Sequence, residues 1–268
     1  QAVSGIAMLN KLVLGEPRYL PTIVADKTTA MTVVYGVLAA LFHRERSGEG
    51  QELEVPMFET MVNWVMAEHL WGMTFEPPKG PPGYVRLMSH HRKPYPTKDG
   101  YIAILPYLDA HWEKFCKLAE RPDLLEDPRF KTLADRVRNI DATYSETGRI
   151  MATRTTDEWL KIFGDTSVPT IVVNTLEELT RDPHLEAVGF WQFVDHPTEG
   201  KLRMPSLPVN FGTTPADIRR HAPRLGEHSV EVLREAGLSE EKIAELCATG
   251  ATMTAEQVAA KVAVGGDG

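Results

Sequence analysis

Cysteine is scarce in this sequence: two residues among 268, Cys116 and Cys247, far apart in the chain. That excludes a disulfide framework and a cysteine-based zinc site. Basic residues are outnumbered, 29 Lys and Arg against 37 Asp and Glu, for a net charge of −8. No basic block stands out, which argues against wholesale nucleic-acid binding. Uninterrupted apolar runs such as residues 33–42 are short, well under the roughly 20 residues of a membrane span. No segment has the layout of a secretory signal, and a reducing, cytoplasmic compartment is the expectation. Familiar catalytic signatures are also missing: there is no Gly-x-Ser-x-Gly, no Walker loop and no His-Glu-x-x-His. Gly48-Glu-Gly50 lacks the third glycine of a dinucleotide fingerprint and follows a helical pattern, so it reads as a turn. What remains, 43% hydrophobic and 25% charged residues, is the composition of a globular protein long enough to bury a real core.

The pattern along the chain mixes helices and strands. Residues 17–26 are extended, with two prolines before the β-branched Thr22-Ile-Val24. A helix is expected from Asp26 to about Arg46, with apolar residues at helical spacing, and Ser47-Gly48 stops it. A short strand follows at Glu52–Val55, and Pro56 suits the first position of a helix reaching about Trp71. Residues 76–83 hold four prolines and two glycines in eight positions, the best candidate boundary or long functional loop. Asp99-Gly100 marks a hairpin turn before a strand at 101–105. Helices are expected at about 108–120, 139–152 and 156–164, with a β-rich run at 168–173. Thr175 caps a helix at 176–181, strands alternate through 191–211 around Gly200, and further helices fall at 226–236 and after Ser239. Residues 250–268 read as a frayed or loosely held helix. The expected segments are 1–75, a loop at 76–94, a small domain at 95–190, and a return at 191–268.

The sharpest chemical signal is Asp26, a carboxylate where an apolar extended stretch meets an apolar helix. Free N–H groups at a helix start stabilise an anion, so such a carboxylate stays ionised and is available as a nucleophile. An ordinary Asp N-cap explains the same junction.

With its sequel the signal is more specific. Asp26, Ala40-Leu41, Arg44 to Arg46 and Ser47-Gly-Glu-Gly-Gln51 are followed by Thr97-Lys-Asp-Gly100, Leu124-Leu-Glu-Asp-Pro-Arg-Phe130, Val168-Pro with Val173-Asn174, Asp182-Pro-His-Leu185, and Ala222-Pro-Arg-Leu-Gly-Glu-His228. In this order the series resembles the family III CoA-transferases, which include formyl-CoA:oxalate and carnitine CoA-transferases and the related α-methylacyl-CoA racemases. The resemblance covers nearly the whole chain.

It implies an α/β fold, with part of a Rossmann-like large domain, a smaller inserted α/β domain, and two subunits interlocked as a homodimer. It implies that Asp26 attacks an acyl-CoA thioester, that CoA passes through an aspartyl-CoA thioester to a carboxylic-acid acceptor, and that no metal or tightly bound cofactor takes part, coenzyme A being a substrate moiety. In the racemase alternative the same Asp is one acid/base of a pair, with a histidine partner upstream. Family members carry a long N-terminal segment before this Asp, whereas 25 residues precede Asp26 here. The expectation is therefore the C-terminal two-thirds of such an enzyme, with a separate N-terminal chain as a possible partner, or a fragment inactive without one.

Other candidates are weaker. Gln51 reads as a turn residue, although family loops at that place lie near the active site. His90, His91, Arg92 and Lys93 follow the Pro/Gly loop, where the family carries a Gly-rich lid, but this sequence has no glycine run there. They are candidates for phosphates or an acceptor carboxylate, or for a solvated basic turn. Asp109 stands about where the racemases place a second acid, and equally where an N-cap belongs. The Met and Trp residues of 57–75 read as core or dimer interface.

Overall fold

Proline and glycine punctuate the chain, and between them lie many short elements. The computed structural model describes residues 1–265, and they divide at Val173/Asn174 into two compact units. Helix dominates strand, 47% to 8%, in the expected mixed helix-and-sheet class. Every strand pair among the described residues is antiparallel.

The first unit starts with three helices: α1, Ile6–Leu14; α2, Val24–Ser47; and α3, Met57–His69. A 3-10 turn follows at Trp71–Thr74. The core here is small. Ile6, Met61 and Val65 are buried, and Leu9, Leu20, Val24 and Ala25 pack on them. No residue of the 24-residue α2 is buried. By length and composition α2 is the one helix among the described residues long and apolar enough to cross a membrane, a property the short uninterrupted run 33–42 did not reveal. Asp26 and Lys27 lie near one end of it, His43 to Arg46 near the other.

Two expectations change in this region. Residues 52–55 form no strand, because a strand needs a partner to receive its backbone hydrogen bonds and none pairs with them. Pro56 is extended and sits outside α3 as its N-cap rather than opening it. The Pro/Gly segment is no free linker either. It folds back on the end of α3: Gly83 N–H donates to the His69 carbonyl (2.8 Å), Lys79 N–H to that of Gly72 (3.0 Å), and Trp71 stacks on Tyr84 at 5.1 Å. A Cβ on Gly72 would come within 2.7 Å of the Gly80 backbone, so this close approach requires glycine.

Beyond it, β1 (Tyr95–Pro96) and β2 (Tyr101–Ile104) form the hairpin marked by Asp99-Gly100, and β3 (Thr170–Val172) completes a sheet in the order β1-β2-β3. Between β2 and β3 run α4 (Asp109–Leu118), α5 (Asp123–Glu126), α6 (Leu133–Arg138), α7 (Ile140–Met151) and α8 (Thr156–Phe163). The short α5 and α6 were not apparent in the sequence, where too few residues repeat to show a period. These elements enclose the main core. Trp112, Phe115, Phe130, Trp159 and Phe163 are at most 1% exposed and stack in a chain with ring centroids 5.5 to 5.8 Å apart.

The second unit contains α9 (Leu176–Leu179), α10 (Pro183–Ala187), the hairpin β4 (Trp191–His196) and β5 (Gly200–Pro205), then α11 (Ser229–Glu235), α12 (Glu240–Ala248) and α13 (Ala255–Gly265). Thr175 closes a capping box on α9, as expected. Asp182 caps α10 with Pro183 at its first position, a start signal whose helix the sequence reading missed. The β4–β5 hairpin turns at Gly200, where φ is +72°, and residues 206–211 add no strand. Buried His196 clamps that turn: its Nδ1 accepts from the Thr198 and Glu199 N–H groups at 3.2 Å, and its Nε2 lies 2.9 Å from the Ala222 carbonyl. α11 begins at Ser229, three residues after the expected start. Of the expected loose tail, 255–265 is helical, and 266–268 lie outside the described residues.

Candidate active site

Asp26 is the third residue of α2 and not its cap. Ile23 holds the cap position and offers no side-chain hydrogen bond. The helix starts two residues early because Val24 and Ala25 pack on the small core, which outweighs the local preference for a polar cap. The Lys27 N–H donates to the Ile23 carbonyl at 3.1 Å, so the turn carrying Asp26 is closed beneath it. Its carboxylate is exposed and makes no hydrogen bond or ion pair among the described residues. A first-turn carboxylate is favoured there by the helix dipole. One turn further on, Thr28, Thr32, Tyr35, Thr60, Asn63 and Trp64 line a groove of about 420 Å³ between α2 and α3.

Gln51 lies beyond the other end of α2, exposed and outside regular structure. At roughly 1.5 Å per residue the stretch of helix from Asp26 to Ser47 is about 32 Å long. Within one chain the fold does not bring Gln51 to Asp26.

The basic run 90–93 is an ordered turn. Buried Ser89 hydrogen-bonds the Asp141 carboxylate on α7, and its oxygen accepts the His91 N–H at 3.2 Å. The Arg92 N–H donates to the Ser89 carbonyl at 3.1 Å. The turn sends its side chains different ways. His90 Nδ1 lies 3.0 Å from the Val13 carbonyl in the last turn of α1, whereas Arg92 and Lys93 line an open cavity of about 600 Å³ over the β1-β2-β3 sheet. His91 is exposed. Among the described residues no cluster of three metal-ligating side chains occurs.

Asp109 is not a cap. Leu108 holds that position, and Asp109, first in α4, accepts from Arg136 Nη2 at 2.6 Å. The Arg136 side chain is 3% exposed and also donates to the carbonyls of Phe130 (3.0 Å) and Tyr107 (3.2 Å). Asp109 is thus committed to anchoring a buried guanidinium. Cys116 is buried too, and burial pushes its thiol up to about 12, which leaves it inert as a nucleophile.

Sequence reasoning missed Arg86 and Tyr144. The Arg86 guanidinium stands 4.3 Å over the Tyr107 ring and donates to the Tyr84 hydroxyl at 3.3 Å. Burial pulls its pKa down, but the nearby Tyr144 and Tyr84 phenols outweigh that and leave it above the usual arginine value. Even so, Arg86 Nε and the Tyr144 hydroxyl are buried without a hydrogen bond of sound geometry. Neither stands in a recognisable motif, so only the folded chain could reveal them.

The architecture defines a class first: a helix-rich mixed domain with an antiparallel sheet, found again in solved structures. Rv3272 from M. tuberculosis superimposes with a TM-score of 0.68 at 24% identity, over 85% of this chain and 62% of that one. A CAIB/BAIF family protein from Brucella suis gives 0.66 at 23%, over 88% and 61%. Residues 1–229 match the model of CoA-transferase family III, and the chain belongs to that family. Among curated relatives, the succinyl-CoA:mesaconate CoA-transferase of Haloarcula hispanica is 29% identical over 245 residues, 89% of this chain and 60% of its own length. The formyl-CoA:oxalate CoA-transferase of Escherichia coli O157:H7 is 26% identical over 272 residues, 92% of this chain and 64% of its own. The chain therefore spans less than two thirds of the relatives it matches.

Proposed function

We propose that the chain carries the nucleophile of a CoA-transferase and that Asp26 is that nucleophile. The observation that carries this reading is an exposed, unpaired carboxylate in the first turn of a long helix, in a chain of family III. One carboxylate oxygen attacks the acyl-CoA thioester carbonyl, forms an acyl-aspartyl anhydride and expels CoA thiolate. The thiolate returns to the aspartyl carbonyl, giving an aspartyl-CoA thioester and releasing the first acid. The acceptor carboxylate then attacks that thioester, and the thiolate resolves the second anhydride into the new acyl-CoA and free Asp26. A carboxylate serves as nucleophile and leaving group in turn, so the cycle needs no redox step. Donor and acceptor are an acyl-CoA and a small carboxylic acid, the substrate kinds for which the two transferase relatives are named. Gln51, His90, His91, Arg92 and Lys93 are proposed contacts for CoA or the acceptor, with Arg92 and Lys93 foremost because both line a cavity.

A partner belongs to the same reading. Met31, Leu38 and Phe42 on α2 are 71%, 59% and 64% exposed, large apolar side chains at helical spacing of the kind that marks an interaction surface when contiguous. They support a homodimer, or a separate N-terminal chain, seated on α2. In the test, purified protein is incubated with an acyl-CoA and its intact mass measured. An acyl or CoA adduct mapping to Asp26, and transfer falling to background in Asp26→Ala with unchanged circular dichroism, is the expected result. Turnover persisting in that variant removes the assignment.

A further inference from the structure

The second unit holds a buried titratable side chain that the chemistry at Asp26 does not use. His196, the last residue of β4, is 8% exposed, and both nitrogens of its ring are engaged. Nδ1 faces the N–H groups of Thr198 and Glu199, each at 3.2 Å, so it presents a lone pair and carries no proton. Nε2 lies 2.9 Å from the Ala222 carbonyl, which only accepts, so the ring proton sits there. The two contacts agree on one neutral tautomer. A second proton enters only at Nδ1, where two donors already point. Among the described residues the acceptor within reach there is the Thr198 hydroxyl oxygen, 3.2 Å away, whose own proton goes to the Glu199 carboxylate at 2.9 Å. The neutral ring therefore binds the turn through two backbone N–H groups, and the charged ring through one hydroxyl.

The His221 ring meets His196 edge-on, centroids 5.5 Å apart, and once protonated it opposes a second positive charge beside it. On the turn, the Glu199 carboxylate favours one. Asp195 and Lys201 are cross-strand partners one rung away and lie on the opposite face of the hairpin, with Lys201 Nζ 5.3 Å from the centre of the Phe193 ring. Beside His221, Arg219 is exposed and Arg220 pairs with Glu231 at 3.1 Å, which also meets His228 at 3.2 Å. We propose that His196 is a proton-operated latch on the β4–β5 turn. Neutral, it closes the turn over Nδ1; protonated, it turns away the Thr198 and Glu199 N–H groups and opens the turn while the two strands stay paired. The turn is thus closed at neutral pH and above, and opens as pH falls through the range, about 6.5, where an imidazole takes a proton. The latch is independent of the role given to Asp26.

Amide hydrogen exchange read by NMR on the 268-residue chain tests it, with rates at about pH 8 and pH 5 corrected for the intrinsic pH dependence of exchange. Protection at Thr198 and Glu199 is expected to fall about tenfold at the lower pH, the loss of two backbone hydrogen bonds. The Ser206 N–H, which donates to the Phe190 carbonyl beyond the other end of the hairpin at 2.7 Å, should keep its protection. Ring nitrogen shifts of His196 should show the Nε2–H tautomer at the higher pH. His196→Gln offers an acceptor oxygen and an amide donor but takes no proton, so its turn should lose the pH response, whereas His221→Ala should retain it. The tautomer and the exchange of the parent decide the matter even where His196→Gln does not fold. The proposal is overturned by an Nδ1–H tautomer at the higher pH, by equal protection of Thr198 and Glu199 at both values, or by a response that survives in folded His196→Gln or vanishes in folded His221→Ala.

Discussion

The helical region before residue 94 and the sheet-and-helix region from 95 to 172 are built on opposite principles, although they share one compact unit. The later region surrounds an aromatic chain from Phe130 through Trp112, Phe115 and Phe163 to Trp159, all but fully buried. The earlier region has three buried apolar residues in its cluster and a 24-residue helix with none. A chain leaves apolar surface open where another surface is meant to cover it. The difference teaches that packing is divided unevenly here: the later region holds itself together, and the earlier one carries Asp26, the proposed nucleophile, on a helix with no buried residue.

The comparison breaks most readily at its strong end. Trp159→Ala removes a fully buried ring and its hydrogen bond to the Met151 carbonyl (2.8 Å), and should cost about 3–5 kcal/mol in urea unfolding. A cost below 1 kcal/mol would mean that the aromatic core is not the stabilising one. Next comes the Arg136–Asp109 pair. Arg136→Met strips hydrogen bonds from two carbonyls as well as from Asp109 and is expected to lose about 2–3 kcal/mol. Asp109→Asn should lose under about 1 kcal/mol, since the carboxylate faces solvent and is screened. Equal losses would show that the ion pair, rather than the carbonyl network, sets the energy.

Smaller effects sharpen the same contrast. Thr155 closes a capping box at the start of α8, and Thr155→Ala should lower stability by about 1 kcal/mol. Asp99 ties the β1–β2 turn to α8, accepting from the Thr156 N–H (2.8 Å) and hydroxyl (3.0 Å). The backbone bond from Thr156 is the main cause holding its carboxyl below the usual carboxylate range. A depressed folded value gives stability that is present above that range and lost as pH falls through and below it. Thermal melts from neutral to acid pH should therefore decline on the acid side, and Asp99→Asn should flatten that decline. Smallest of all, Phe42→Ala on α2 is expected to change the stability of the isolated chain by less than about 0.5 kcal/mol. If α2 is covered in solution, the same substitution instead weakens association, which sedimentation reads directly. A large stability loss in the monomer would overturn the view of α2 as an uncovered face.

Much of this was legible beforehand where the signal is local. The 95–104 hairpin follows from Asp99-Gly100, α9 from the Thr175 box, and the end of α2 from Gly48, whose φ is +78°. The errors arose where a distant contact decided. Val24 and Ala25 drew the start of α2 past Asp26, Asp109 gave up capping to pair with Arg136, and residues 52–55 found no strand to join. For the site, Asp26 and the 89–93 turn were visible as residue types. That Arg92 and Lys93 share a cavity while His90 turns to Val13 was not, because a run of four basic side chains carries no information about where each points.

By itself the sequence determined the mixed class, the family, most helix and hairpin positions and the place of the candidate carboxylate near the start of α2. These depend on backbone preferences and turn residues acting over a few positions. Only the tertiary structure decided that α2 stays uncovered, that Asp109 is a structural anchor, and that the rings from Phe130 to Trp159 gather into one core. Burial and hydrogen-bond satisfaction are properties of side chains brought together from far along the chain, and no local pattern encodes them.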